Sequence, residues 1–215
     1  MDVLNVSQTR DMILYVADKV IESKPLLTEV DSKIGDGDHG IGMSVGFKKV
    51  KEVLAQKEVK TINALFKETG IAMLNSMGGA SGVIFSTIFL GGIKNTPETD
   101  QLDVNIFADM MEKALQTIKE RGKADIGDKT MIDAFQPAAA ALRISAGKSE
   151  SFKQALAGAE YAAAQGVENT KNYVAKFGRA KSLLERAMGF QDAGATSVWI
   201  IFKSMREWAE QNLQL

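Results

Sequence analysis

The chain of 215 residues contains no cysteine, only three prolines and a single histidine. Without cysteine there is no disulfide framework, no thiolate metal site and no cysteine nucleophile. With so few prolines and no low-complexity linker, nothing divides the chain, so we expect one domain over residues 1–215. No apolar run approaches the roughly 18 residues of a membrane span, and the first twenty residues lack a signal-peptide core. We predict a soluble, cytoplasmic protein without membrane contact.

An excess of one charge is also missing. Lysine and arginine together number 26, and aspartate and glutamate together number 27. A balanced charge produces no overall field that would favour nucleic acid or an anionic membrane surface. Direct nucleic-acid binding is therefore not expected, and any binding must depend on a local arrangement of residues.

Apolar residues recur at steps of three and four along almost the whole chain, a spacing typical of helices. The first helix shows it at Met12, Val16 and Val20, with Ser7 as the predicted N-cap. Seven further helices are predicted at 43–55, 61–77, 81–92, 103–121, 129–146, 151 to about 176, and 193–212. Pro137 should kink the sixth helix or mark a late start. The pattern predicts an all-α protein with eight antiparallel helices, as an up-and-down bundle or closed barrel.

Four glycine-containing segments lie between the predicted helices, at 35–42, 78–82, 121–131 and 178–197. The remaining links are ordinary polar turns. Alternate links of an up-and-down arrangement lie at the same end, and these four segments are the alternate links. We therefore expect the unusual chemistry of the chain to gather at one rim.

The segment "DSKIGDGDHGIGM" places three aspartates and the histidine among glycines. Asp31, Asp36 and Asp38 offer hard oxygen ligands, and the glycines let their carboxylates converge on Mg²⁺. His39 and the residues after it open a helix, and "GGASG" opens another with Ser81 as a candidate cap. Free N–H groups at helix starts favour phosphate, so the sequence indicates a metal and polyphosphate site. A solvated turn, and a capping or structural role for His39, remain alternatives.

Four motifs in order, "DSKIGDGDHGIGM", "GGASG", "RGKADIGDKTM" and "GRA…ER…G…QDAGATS", resemble the nucleotide-binding L subunits of dihydroxyacetone kinases over nearly the full chain. The resemblance implies an eight-helix barrel with the nucleotide at one rim. It implies that Asp31, Asp36 and Asp38 hold two Mg²⁺ ions on the diphosphate of ADP or ATP. The implied nucleotide contacts are His39, Gly40, Ile41, Gly42, Ala80, Ser81, Gly122, Met131, Arg179 and Asp192. Arg179 could instead pair with a surface carboxylate.

The same resemblance implies how the chain works with partners. In this family the covalent histidine that captures the ketose belongs to a separate K subunit, so no catalytic side chain is expected here. A stand-alone L chain resembles the phosphotransferase-linked bacterial systems, in which a multiphosphoryl protein rephosphorylates bound ADP. A homodimer and contact with a transcriptional regulator are further expectations of the resemblance.

Two positions depart from the family pattern. Many L subunits carry asparagine where this chain has Gly42, and proline where it has Ala193. The first departure removes one possible phosphate contact and leaves the sugar and the nucleotide partner open. The alternatives are an L subunit of an ATP-dependent two-chain kinase for a three- or four-carbon ketose, and a nucleotide-dependent regulatory module.

Overall fold

The computed structural model describes residues 3–213, and helices account for most of them. The nine α-helices of this part of the chain are α1 (Val6–Glu22), α2 (Lys24–Ile34), α3 (His39–Gln56), α4 (Ile62–Ser76), α5 (Gly79–Gly92), α6 (Val104–Gly122), α7 (Ile132–Gly147), α8 (Phe152–Thr170) and α9 (Ala193–Asn212). Strands β1 (Leu4–Asn5) and β2 (Gln101–Leu102) form one short antiparallel pair, and a 3-10 segment spans Arg179–Ala187. The predicted all-α class is confirmed.

The helices pack in sequence order. Each helix from α3 to α9 packs against the next, α1 packs against α3, and α9 packs against α1, so these eight helices form a closed series of neighbours. The main hydrophobic core takes buried side chains from all nine α-helices. Aromatic pairs lie within it, including Phe66 with Phe89, whose ring centroids are 5.5 Å apart. No helix within residues 3–213 is both long enough and apolar enough to cross a membrane.

Helix α2 was not predicted from the sequence. Pro25 lies in its first turn, where the missing N–H has no helical partner to lose. Leu27, Val30 and Ile34 form its buried face and pack it against the rest of the protein. Residues 3–213 therefore contain nine α-helices where the spacing predicted eight, and Asp31 lies in the last turn of α2 instead of in a loop.

Two of the predicted N-cap residues were wrong. Asn5, not Ser7, caps α1, because Asn5 and Gln8 exchange reciprocal side-chain to backbone hydrogen bonds. Ser81 does not cap α5, which begins at Gly79 without a side-chain cap. The predicted starts at Thr61 and Ser151 are confirmed, since both side chains accept hydrogen bonds from the third residue of their helix.

Helices α7 and α8 approach each other closely. Helix α7 begins at Ile132, three residues later than predicted, and contains Pro137 in its second turn. Proline has no N–H to donate to the carbonyl of Asp133 four residues before it. Gly166 of α8 packs against that carbonyl, where a Cβ would collide with the oxygen and lie 2.7 Å from the Cα of Ala134. This contact fixes the start of α7 against α8.

Candidate functional site

A cavity of about 760 Å³ opens at one end of the helices. Its walls come from the four glycine-containing links and the helix ends beside them, at positions within 31–45, 76–85, 129–131, 177–180 and 192–194. The volume lies within the range of small-molecule sites, about 300 to 1,000 Å³. The four glycine-containing segments were predicted to lie at one rim because they are alternate links. All four line this one cavity.

Three carboxylates converge at this cavity. Asp31 projects from the last turn of α2, while Asp36 and Asp38 lie in the link to α3. One oxygen from each carboxylate lies within 4.8 Å of the other two. Gly37 in the link has a φ of +77°, and a Cβ at Gly35 would collide with the Asp31 carboxylate. The glycines allow the tight turn, and the carboxylates form a ligand set suited to a divalent cation.

The electrostatics of the cluster also favour a cation. Burial, followed by the negative charges of Asp36 and Asp31, raises the pKa of Asp38. The guanidinium of Arg179 opposes this rise, and its Nε lies 2.9 Å from Asp36 Oδ2. Arg179 is mostly exposed, so its ion pair is screened by solvent and offsets the repulsion only in part. A metal ion would remove the repulsion among the three carboxylates.

His39 is buried at the first position of α3 and forms part of the cavity wall. Its backbone N–H donates to Asp31 Oδ2 at 3.3 Å, and its Nε2 lies 2.8 Å from Ser197 Oγ. The ring packs against Phe85 with centroids 5.8 Å apart. Burial lowers the pKa of His39, although the nearby Asp31 charge opposes the shift. The imidazole is therefore neutral near pH 7.

Three helices begin at the cavity wall: α3 at His39, α5 at Gly79 and α9 at Ala193. Neither α3 nor α5 has an N-cap side chain. Apart from the His39 N–H, which donates to Asp31, the N–H groups of their first turns are available to a ligand. Gly79 has a φ of +71°, a conformation that favours glycine. Together the three helix starts create a positive potential suited to an anion such as a phosphate.

A buried lysine holds the far wall of the cavity in place. Lys129 has a φ of +59°, and its Nζ donates to the carbonyls of Thr170 and Phe190, each at 2.5 Å. These bonds tie the end of α8 to the link before α9. Asp133 accepts hydrogen bonds from the backbone N–H groups of Gly127 and Thr130 and so shapes the segment that carries Lys129.

The segment between α8 and α9 is anchored beside the aspartates. Ile34 at the end of α2 packs with Ala175 and Ala187 in a small apolar cluster separate from the main core. The backbone of Lys176 also bonds to Asp128 O, and its side chain pairs with the Asp128 carboxylate at 2.6 Å. These contacts bring Phe177 and Arg179 to the cavity wall.

Comparisons with known proteins indicate the same family as the four motifs. Residues 33–207 match the DAK2 domain. The chain belongs to the DAK2 domain family. The ADP-binding subunit DhaL of the PEP-dependent dihydroxyacetone kinase of Escherichia coli K12 is 38% identical over 179 residues, 83% of this chain and 85% of the relative. The corresponding subunit of kinase 1 of Listeria innocua is 35% identical over 188 residues, 87% of this chain and 89% of the relative.

A solved structure resembles the DAK2 domain in three dimensions. The dihydroxyacetone kinase of C. freundii in complex with AMP-PNP and Mg²⁺ superposes with a TM-score of 0.72 at 26% identity. The match covers 96% of this chain and 35% of the C. freundii chain, so the DAK2 domain spans about a third of that longer kinase. These comparisons confirm the resemblance to L subunits of dihydroxyacetone kinases that the four motifs indicated.

Most residues that the resemblance implied for nucleotide and metal binding lie together at this cavity. The cavity is lined by Asp31, Asp36, Asp38, His39, Ile41, Gly42, Ala80, Ser81, Met131, Arg179 and Asp192. Gly40 and Gly122 are not among the lining residues. Gly40 faces α2, where a Cβ would meet Lys24 O and Thr28. Gly122 ends α6, and a Cβ there would lie 3.6 Å from a methyl carbon of Ile84.

The two departures from the family pattern are accommodated locally. No atom lies within 4 Å of the position that a Cβ would take at Gly42, so this part of the cavity wall is open. Ala193 is buried at the first position of α9, where proline would also fit a helix start. Neither substitution disturbs the arrangement of the three carboxylates.

Asp192 gives the DAK2 domain a predicted pH dependence. It caps α9 by accepting a hydrogen bond from the Ala195 N–H at 2.7 Å, and burial, reinforced by the charge of Asp133, raises the pKa of its carboxyl to about 7. In the unfolded chain an aspartate titrates near pH 4. Between these values the folded state binds more protons, so this carboxyl makes the free energy of unfolding fall as pH rises from about 4 to about 7.

The substitution Asp192→Asn keeps a capping side chain and removes the titrating group. We measure the free energy of unfolding in urea with a chelator present. Between pH 5 and pH 8 we expect that of the wild type to fall by about 2 to 3 kcal/mol relative to that of this variant. Two stability profiles that run parallel over that interval would show that Asp192 has no raised pKa.

Proposed function

We propose that this DAK2 domain is the nucleotide-binding subunit of a dihydroxyacetone kinase. It would hold Mg·ADP or Mg·ATP in the cavity and pass the phosphoryl group to dihydroxyacetone on a separate K subunit. A phosphotransferase-system protein would then rephosphorylate the ADP in place. The observation that carries this proposal is the convergence of three carboxylates with three helix starts in one cavity.

The donor set fits two Mg²⁺ ions and a diphosphate. Hard carboxylate oxygens suit Mg²⁺, and two divalent ions outweigh three carboxylates by one positive charge. The uncapped N–H groups of α3 and α5 supply neutral donors for the anion that balances this surplus. When bound, Mg²⁺ would neutralise charge on the transferring phosphoryl group. The helix starts would hold the other phosphate oxygens, and Asp31, Asp36 and Asp38 would hold the ions.

No side chain of the cavity is assigned as a nucleophile. His39 is buried against Phe85 and hydrogen-bonded to Ser197, which supports a role in holding the nucleotide instead of capturing a ketose. The relatives from Escherichia coli and Listeria innocua are subunits of PEP-dependent kinases, which supports a phosphotransferase-linked cycle for this chain. In such a cycle the nucleotide acts as a retained cofactor.

The mouth of the cavity has features of a docking surface for the K subunit. Ile41, Val45 and Phe177 line the cavity and expose 49%, 44% and 37% of their surface. Exposed apolar side chains around a polar site favour burial by a partner protein. A K subunit seated there would cover the transferring phosphate and exclude water. The homodimer and the regulator contact remain predictions of the family resemblance.

The proposal is tested by the nucleotide content of the purified protein. Many contacts from four segments favour slow dissociation, so we expect stoichiometric ADP that survives desalting and appears on chromatography after acid denaturation. The same preparation is then assayed with a K subunit and either ATP or a PEP-driven phosphocarrier. Transfer from the carrier supports the phosphotransferase-linked cycle. An empty site with ATP-driven turnover supports the ATP-dependent kinase, and tight binding without transfer supports the regulatory module.

A further inference from the structure

Ser197 differs from neighbouring hydroxyl residues of α9 in its hydrogen bond. Thr196 Oγ1 donates to Asp192 O and Ser204 Oγ donates to Ile200 O, each at 2.7 Å. This return bond to the preceding turn is the usual partner of a hydroxyl inside a helix. Ser197 is fully buried, and the only hydrogen bond of its Oγ within residues 3–213 is the 2.8 Å contact with His39 Nε2.

This single contact determines which histidine nitrogen carries the proton. If Nε2 carried it, Nε2 would donate to Ser197 Oγ, and the buried hydroxyl hydrogen would have no acceptor. An unpaired buried donor is unfavourable, whereas the reverse arrangement satisfies both groups. The Ser197 hydroxyl therefore donates to Nε2, which must be unprotonated. The proton of the neutral ring then lies on Nδ1.

The other ring nitrogen faces the cavity. Within residues 3–213, no protein group hydrogen-bonds to Nδ1, and Nδ1 is not among the fully buried unpaired side-chain atoms. It therefore keeps contact with the solvent of the cavity, whose wall includes His39. An Nδ1–H group in this position is a neutral donor beside the three carboxylates and the start of α3.

We propose that Ser197 is a positioning residue that holds His39 as the Nδ1–H tautomer, so that a neutral N–H donor faces the phosphates of the bound nucleotide. The placement of phosphates rests on the proposed function, whereas the tautomer follows from the protein's own hydrogen bonds. A neutral donor binds phosphate oxygen without competing with the metal ions for the carboxylates. The same ring with its proton on Nε2 would present a lone pair to the phosphates and repel them.

The tautomer is measured by long-range ¹H–¹⁵N correlation spectra of the untagged protein without nucleotide. The chain has one histidine, so its signals need no residue assignment, and Nε2 is distinguished from Nδ1 by its strong couplings to both carbon-bound ring protons. We expect the pattern of a protonated Nδ1 in the wild type and in Ser204→Ala, which removes a buried hydroxyl from the same helix. In Ser197→Ala a water that replaces the hydroxyl can accept from Nε2 as well as donate to it, so the tautomer is no longer fixed and we expect signals shifted toward Nε2–H. A wild-type Nε2–H pattern, or an unchanged pattern in Ser197→Ala, would overturn the proposal.

Binding of Mg·ADP provides a second readout. We expect Ser197→Ala to weaken binding about 3- to 10-fold, Ser204→Ala to leave it unchanged, and Ser197→Thr to restore it. At His39, asparagine places an amide N–H near the position of Nδ1, so His39→Asn should bind more tightly than His39→Gln. The opposite order would contradict the proposal. A wild type with the Nδ1–H pattern that binds no Mg·ADP would refute the proposed function but not the tautomer.

Discussion

Replacing Asp36 by asparagine is expected to weaken Mg·ADP binding by about 10- to 100-fold or more. The substitution keeps the shape of the side chain and removes one of three converging charges. Two metal ions then have fewer anionic ligands, and the ion pair with Arg179 is also lost. Asp31→Asn and Asp38→Asn should weaken binding to a similar degree, because all three carboxylates act on the same ions.

The stability of the metal-free protein separates this effect from misfolding. Burial, and after it the charge of Asp36, raises the pKa of Asp38, so removing the charge of Asp36 relieves repulsion in the absence of metal. We therefore expect an unchanged or higher melting temperature in chelator together with a large loss of affinity. Asp100→Asn, at an exposed carboxylate in the link between α5 and α6, is the control. Unchanged calorimetric binding in all three site variants would refute the metal assignment.

Gly166→Ala is expected to destabilise the protein by about 3 kcal/mol. The added Cβ would collide with backbone atoms of Asp133 and Ala134, and backbone cannot rotate away as a side chain can. Helix α7 would have to shift from α8. Because the segment before α7 carries Lys129 and Met131 into the cavity wall, nucleotide binding should weaken as well. Urea unfolding followed by circular dichroism measures the stability change.

Gly158→Ala on the same helix is the matched control. The nearest atom to a Cβ at Gly158 is Ser145 Oγ at 3.9 Å, which is an ordinary contact. Alanine is a better helix former than glycine by up to about 1 kcal/mol, so this variant should be neutral or more stable. Equal effects of the two substitutions would show that the close approach of α7 and α8 does not determine stability.

Most of the helices could be predicted from the sequence. Regular spacing of apolar residues identified the buried helices α5 and α9 despite their β-branched and aromatic residues, because both continue in helical register. Helix α2 was missed because its 11 residues follow α1 after a single residue and contain Pro25. Proline ends most helices but is tolerated in a first turn, so its position had to be seen in the structure.

The aspartates of the site could be predicted, because three carboxylates among glycines form a dense local pattern. Ser197 and Lys129 could not. Ser197 lies 158 residues from His39, and Lys129 bonds to backbone carbonyls that carry no sequence signal. Gly40 has a structural role that the sequence did not show, since the absence of a Cβ there allows α2 and α3 to approach closely, and its predicted contact with the nucleotide stays a prediction. Long-range pairing and close backbone contacts become visible only in the fold.

The most direct test of the account is isothermal titration of ADP into nucleotide-free protein, once with Mg²⁺ and once with a chelator. Three converging carboxylates repel a diphosphate unless cations lie between them, so affinity must depend on the metal. We predict one ADP bound per chain with Mg²⁺ and no measurable heat of binding in chelator. ADP binding of equal affinity under both conditions, or no binding with Mg²⁺, would contradict the claim that this cavity is a metal-dependent nucleotide site.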